Sequence, residues 1–277
     1  MIFVEGKKIS EDSSMTKGHQ LVLNLLQNPI LSAKTNAFKS LSETTIMLPQ
    51  DPKSVGSESS SSVKSVYVFQ REYATVNPSA VKSVGTDEAT TCVGLAISNR
   101  TTRMTSVAHF DSAERVKLGL LQMLAGVVCG EKDADLDVNT VTGNVMPASF
   151  DKSARCPDEV VRRLRVSFSF EDSTWEGRLL ETYDTYSDRF VIAPCKWRPT
   201  WKYYAAELLE LSDSELLLQC STSPDAESLD FVESERRMLA YLLKNPNWTC
   251  TFPNGQPRIF TRTDKGDWVK SGLRHGK

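Results

Sequence analysis

Histidine is scarce in this sequence. The 277 residues hold three, His19, His109 and His275, so only His109 lies away from the chain ends. Six cysteines, Cys92, Cys129, Cys156, Cys195, Cys220 and Cys250, are far apart and form no Cys-x-x-Cys pair. Together these residues offer no zinc-ligand spacing. Free, mostly buried thiols in a reducing compartment are the expectation, with no metal or organic cofactor. Charge of one sign is lacking too. Lys and Arg number 33 against 35 Asp and Glu, a net charge of -2, which gives no basic footprint for nucleic acid. The longest apolar-rich stretch, residues 118–129, is interrupted by Gly119, Gln122 and Gly126. It falls well short of the roughly 18–20 apolar residues of a membrane span. At the N-terminus the apolar residues precede Glu5, Lys7 and Lys8, the reverse of a signal peptide's order. The chain therefore reads as soluble and intracellular, with no membrane or nucleic-acid partner.

What remains is ordinary globular usage, 40% apolar and 25% charged, enough for one substantial core. A single domain over 1–277 is expected, with a Ser-rich flexible loop at 54–65. Helical spacing of Leu21, Val22, Leu25 and Leu26 predicts a helix over 16–27, with Pro29 as its stop. Residues 66–73 read as a buried strand. Residues 92–98 and 103–109 read as a hairpin across Asn99-Arg100-Thr101-Thr102. A helix follows, capped by Asp111 or Ser112, with Val116, Leu120, Met123, Leu124 and Val127 as its apolar stripe. Residues 136–141 suit a strand, and 157–164 a short helix. Val166, Phe168 and Phe170 alternate as a strand would. Helices over 213–219 and 231–244 and a hairpin over 258–270 complete the pattern, with Asp230 and Glu233 as a capping box. Strands and helices mix without regular alternation, so the fold class is α+β: mainly antiparallel sheet layers with packed helices.

The hairpin carries the chemistry. With its turn centred between Arg100 and Thr101, Cys92 lies directly opposite His109 on one face, about 4.5–5.5 Å away between Cβ atoms. That face is otherwise small (Gly94, Ala96, Ser98, Thr105, Val107), leaving room for a substrate. The opposite face, Val93, Leu95, Ile97, Met104 and Ala108, suits a core. An adjacent imidazole can hold a cysteine as the attacking thiolate. Thr86, Asp87 and Asp111 are the candidates to orient that imidazole. Asp133-x-Asp135-x-Asp137-x-Asn139 lacks the glycine and closing Glu of a calcium loop and reads as a solvent-facing strand.

Several segments resemble the protein N-terminal asparagine amidohydrolase family, most nearly a plant member. They are Tyr67-Val68-Phe69-Gln70-Arg71-Glu72, Gly85-Thr86-Asp87-Glu88-Ala89-Thr90-Thr91-Cys92, Ala108-His109-Phe110-Asp111, and Ser221-Thr222-Ser223-Pro224 followed by Phe231-Val232-Glu233. The matches run in order over most of the chain. The resemblance implies an amidase that converts an exposed N-terminal Asn to Asp with release of ammonia, in the N-degron pathway of ubiquitin-dependent proteolysis. It also implies a cytosolic or nuclear location. The family's nucleophile falls on Cys92. In chemoreceptor glutamine deamidases a Cys, a later His and an earlier Thr stand at the same separations, matching Cys92, His109 and Thr86. The substrate's free α-ammonium calls for a carboxylate, with Glu72, Asp87 and Glu88 as candidates. One departure stands out: after Val141 the chain runs directly into Thr142-Gly143-Asn144-Val145, which resembles a much later part of the family, so an internal segment is missing near 141–142. The rival expectation is a shortened, inactive relative that binds protein N-termini or a partner.

Overall fold

A computed structural model describes residues 2–4, 7–9, 27–40, 44–46, 64–89, 91–131, 133–142, 148–150, 155–169, 172–175, 177–263 and 267–271. The chain divides into two compact units. One is Met1–Thr44 with Val145–Ala148, the other Thr45–Asn144 with Ser149–Lys277. The first holds the antiparallel pair β1 (Ile2–Val4) and β2 (Lys7–Ile9) and helix α1 (Pro29–Lys39). Pro29 starts a helix rather than stopping one. Its missing N–H costs nothing in the first turn, and Asn28 Oδ1 accepts from the Ile30 and Leu31 amides at 3.0 and 3.3 Å. The helix expected over 16–27 lies almost wholly outside the described residues, as does most of the Ser-rich loop. A short strand, β3, spans Thr44–Ile46.

The second unit carries the candidate site. The expected strand over 66–73 is two strands, β4 (Ser65–Tyr67) and β5 (Glu72–Val76). They are broken by a turn in which Arg71 takes a positive φ of 63°. Strand β4 pairs in parallel with β6 (Ser83–Gly85). The predicted hairpin forms as β7 (Val93–Asn99) and β8 (Thr105–Phe110). Helix α2 (Val116–Val128) follows, preceded by a 3-10 turn at Ala113–Arg115 that uses no side-chain cap. Strand β9 (Leu136–Thr142) returns beside β7. A short β10 (Ala148–Phe150) comes next, then helix α3 (Glu159–Phe168). Here the alternation of Val166 and Phe168 is misleading. Val161, Leu164, Arg165 and Phe168, spaced by three and four, are all buried, so the helical period prevails over the strand reading. Strands β11 (Leu180–Glu181), β12 (Tyr183–Asp184) and β13 (Arg189–Ile192) precede helices α4 (Trp201–Leu209), α5 (Asp213–Cys220), α6 (Phe231–Lys244) and α7 (Trp248–Thr251). Strands β14 (Arg258–Arg262) and β15 (Trp268–Lys270) end the described chain. Helix α6 begins where expected, but Asp230 makes no side-chain cap. The capping box belongs to α5, between Ser212 and Glu215.

The central sheet has the order β11-β5-β8-β7-β9. It is antiparallel except for the β11–β5 edge. A second, four-stranded antiparallel sheet runs β12-β13-β14-β15. The α+β class with mainly antiparallel layers therefore holds. Leu95, Ile97, Ala108 and Phe110 pack against Met123 and Val127 of α2. Gly119 makes that approach possible, because a Cβ there would fall 2.5 Å from the Phe110 ring. The other face of the sheet turns toward the larger core formed with α3, α4 and α6. Among the described residues no helix is long and apolar enough to cross a membrane.

Candidate active site

The hairpin register corrects the geometry expected from sequence. Gly94, not Cys92, is opposite His109, and Ser98 is opposite Thr105. The link from Asn99 to Met104 is longer than assumed, since Asn99 Oδ1 accepts from the Thr101 and Thr102 amides and Arg103 adopts a positive φ. The shift is two residues, so face parity survives; a shift of one would have put the thiol on the opposite side. Cys92 immediately precedes β7, on the face of Gly94, and stands diagonal to His109, about 7–8 Å apart at the Cα atoms. Gly94 brings no side chain into the space between.

Cys92 and His109 line one cleft of about 380 Å³. The cleft draws on segments far apart in sequence. Tyr67, Phe69 and Gln70 come from β4 and the turn after it, and Asp87, Glu88 and Thr91 from the loop before the cysteine. Arg163, Val166 and Ser167 of α3, and Cys220 through Glu235 around α5 and α6, complete the wall. Thr86 directly follows β6, and its Oγ1 lies 2.7 Å from His109 Nδ1. The same hydroxyl donates to the Asp87 carbonyl at 3.3 Å. His109 is buried, and its carbonyl accepts from the Arg71 amide at 2.8 Å. The Arg71 guanidinium pairs with Asp111 and donates to Ser169 at 2.9 Å. The Arg71 turn thus braces the end of β8 just beyond the imidazole.

Burial sets the protonation states. It lowers the His109 imidazole to about 4, while Glu88, Asp111 and Glu72 pull weakly the other way. Burial also raises the Cys92 thiol, with Asp111 adding to the effect and the Thr91 hydroxyl opposing it. The resting pair is therefore a neutral thiol beside a neutral imidazole, not the thiolate expected from sequence. Alkylation of Cys92 by iodoacetamide, read residue by residue by mass spectrometry, should then be slow at pH 7 and still be climbing past pH 9. A labelling rate that levels off near pH 5 would require a thiolate–imidazolium pair.

The carboxylates sort by what they touch. Glu72 is fully buried, paired with Arg162 and Arg165 at 2.7 and 2.8 Å. It also accepts from the Phe69 amide at 3.1 Å. It does not line the cleft and instead ties α3 to β5. Asp87 and Glu88 do line it. Asp87 accepts from the Tyr67 hydroxyl at 2.6 Å and the Phe150 amide at 2.8 Å. Glu88 pairs with Arg155 at 2.9 Å and Arg163 at 3.6 Å. Asp111, weighed from sequence as a rival orienter of the imidazole, instead pairs with Arg71 and Arg115. Among the cleft residues that sequence reasoning did not place there are Arg163, Cys220, Glu227 and Glu235. Glu227 follows Ser221-Thr222-Ser223-Pro224, a segment that reads as a turn yet puts Ser221 and Thr222 in the wall. Among the described residues no group of His, Cys, Asp and Glu is arranged to hold a metal ion.

Comparison with known proteins places the chain among the amidohydrolases. The family described as protein N-terminal asparagine amidohydrolase matches residues 55–141 and 134–270. An Arabidopsis thaliana protein of that name is 41% identical over an alignment of 350 positions, covering 98% of this chain and 100% of the relative. Proteins of the same name from Sus scrofa and Mus musculus are 32% and 30% identical. Those two alignments cover 49% and 48% of this chain, and 41% and 40% of the relatives. The chain belongs to the protein N-terminal asparagine amidohydrolase family.

Proposed function

We propose that this chain deamidates the side chain of an N-terminal Asn, giving Asp and ammonia, with Cys92 as nucleophile. The observation that carries the reading is the shared cleft of Cys92 and His109, with Thr86 on the far nitrogen of the ring. The Thr86 hydroxyl has one proton, and its bond to the Asp87 carbonyl uses it. Its oxygen then accepts from Nδ1–H of His109, which leaves Nε2 as the free lone pair. His109 takes the thiol proton as Cys92 Sγ attacks the amide carbon. It returns that proton to the departing ammonia, leaving a thioester, and then activates the water that releases Asp. A neutral imidazole at pH 7 is the form this sequence of steps requires. Cys92, His109 and Thr86 would thus share the arrangement of the chemoreceptor glutamine deamidases. Substrates would be proteins with exposed N-terminal Asn in the cytosol or nucleus, marked by this step for the N-degron pathway.

Ammonia release from an Asn-initiated peptide, and none from its Nα-acetylated twin, is the expected result with the purified chain. A folded chain that releases ammonia from neither would be a non-catalytic relative. Thr86→Val removes the oxygen that orients His109 while keeping the shape. The expected loss is about ten- to hundredfold in kcat, with KM little changed, because the wrong tautomer becomes populated. An unchanged kcat would take Thr86 out of the mechanism.

A further inference from the structure

Five carboxylates line the cleft, Asp87, Glu88, Asp111, Glu227 and Glu235, against a single arginine, Arg163. Four of the five are engaged. Asp87, Glu88 and Asp111 have the partners given above. Glu227 accepts from the Ser221 hydroxyl at 2.5 Å. Glu235, on the second turn of α6, has no hydrogen bond or ion pair among the described residues, yet it is set into the wall of the same cleft as Cys92 and His109.

We infer that Glu235 is the specificity-determining carboxylate that receives the α-ammonium of the substrate's N-terminal residue. This deepens the amidase reading and rests on it. An enzyme that acts on a terminal Asn and spares an internal one must tell an ammonium from a neutral amide, and the difference between them is a charge. A desolvated carboxylate without a resident cation reads that charge. Glu88 is already matched by two guanidiniums, and both oxygens of Asp87 already accept hydrogen bonds, so an ammonium gains less from either. Burial holds the Glu235 carboxyl up to about 7, against the pull of Arg163 and with Glu227 and Glu88 adding to the rise. An entering ammonium adds to the pull of Arg163 and favours the charged carboxylate.

The test reads binding apart from turnover. Wild type, Glu235→Gln and Glu235→Asp are treated with iodoacetamide, with and without an Ala-initiated peptide or its Nα-acetylated twin. Labelling of Cys92 is followed by mass spectrometry, and ammonia release from an Asn-initiated peptide is measured in parallel. The free-amine peptide should protect Cys92 of the wild type and the acetylated twin should not. Glu235→Gln should abolish that protection and lower kcat/KM for the Asn-initiated peptide by roughly a hundredfold, whereas Glu235→Asp should retain part of both. Protection of Glu235→Gln equal to that of the wild type overturns the inference, as does a wild type protected equally by both peptides or by neither. Removal of an unpaired carboxylate leaves folding intact, so a Glu235→Gln chain that fails to fold also overturns it, by showing that the charge is structurally matched. A wild type that is protected only by the free amine but releases no ammonia leaves the anchor standing and removes the amidase reading alone.

Discussion

Cys92→Ala is expected to lower kcat for an Asn-initiated peptide by at least about four orders of magnitude, the scale on which loss of a nucleophile removes covalent catalysis. Cys92→Ser should fall nearly as far, because a hydroxyl is a far poorer nucleophile than a thiol near neutral pH. The other cysteines provide the control. Cys129, Cys156 and Cys250 are exposed and Cys195 is buried, all outside the cleft lining. Cys220 is the demanding case, since it lies in the cleft wall with Cys92. Burial raises its thiol to about 11, with Glu235 adding to the rise, and it stands on α5, not beside the imidazole of β8. Cys220→Ala should therefore keep most of the activity. If Cys220→Ala abolishes turnover and Cys92→Ala does not, the assignment of the nucleophile is wrong.

The largest effect on stability is expected at Glu72. Its carboxylate answers two guanidiniums, Arg162 and Arg165, and all three side chains are wholly buried. The pair also ties α3 to the turn before β5: Arg162 donates to the Tyr67 carbonyl at 2.5 Å and stacks over the Phe69 ring at 4.6 Å. Glu72→Gln keeps the volume but leaves two desolvated cations without a counter-charge. Breaking a buried pair in this way costs about 3–5 kcal/mol. In a unit of this size that corresponds to a Tm about 10 °C lower, measured by thermal denaturation. Tyr67 and Phe69 are cleft residues, so activity should fall along with stability. A Glu72→Gln chain that melts with the wild type would show that the arginines find other partners.

Much of the site was legible from sequence because it is local. A hairpin reads from alternation and a polar turn, and its parity follows from the apolar face, so Cys92 and His109 were bound to share a side. The register depended on how many residues Asn99 would draw into the turn, which alternation does not encode. Helix α6 was legible over its full length because a 3.6-residue period sustained over fourteen residues is unambiguous. The last turn of α3 was lost because Val166, Phe168 and Phe170 alternate as a strand would, while the three-and-four spacing of the helix runs back through Val161, Leu164 and Arg165. Glu72 reads from sequence as one carboxylate candidate for the substrate ammonium, whereas its surroundings are two arginines about ninety residues later. Glu227 and Glu235 reach the cleft only through the packing of α5 and α6, a long-range result with no local signature.

We propose that the residues carried by the Arabidopsis relative and lacking here follow Val141. Its alignment of 350 positions exceeds the 277 residues of this chain, and the two matched family segments meet at 134–141, on β9. Leu118 and Leu121 of α2 and Val138 of β9 are 41%, 58% and 59% exposed, apolar surface of the kind that further layers would cover.

We propose that this chain hydrolyses the side-chain amide of an N-terminal Asn through a thioester on Cys92. The most direct measurement is mass spectrometry of an Asn-initiated peptide incubated with the purified 277-residue chain in water enriched in heavy oxygen. The expected result is conversion of the terminal Asn to Asp with one solvent oxygen incorporated, and no conversion by Cys92→Ala. An unchanged peptide mass with a folded wild-type chain, or equal conversion by Cys92→Ala, would contradict it.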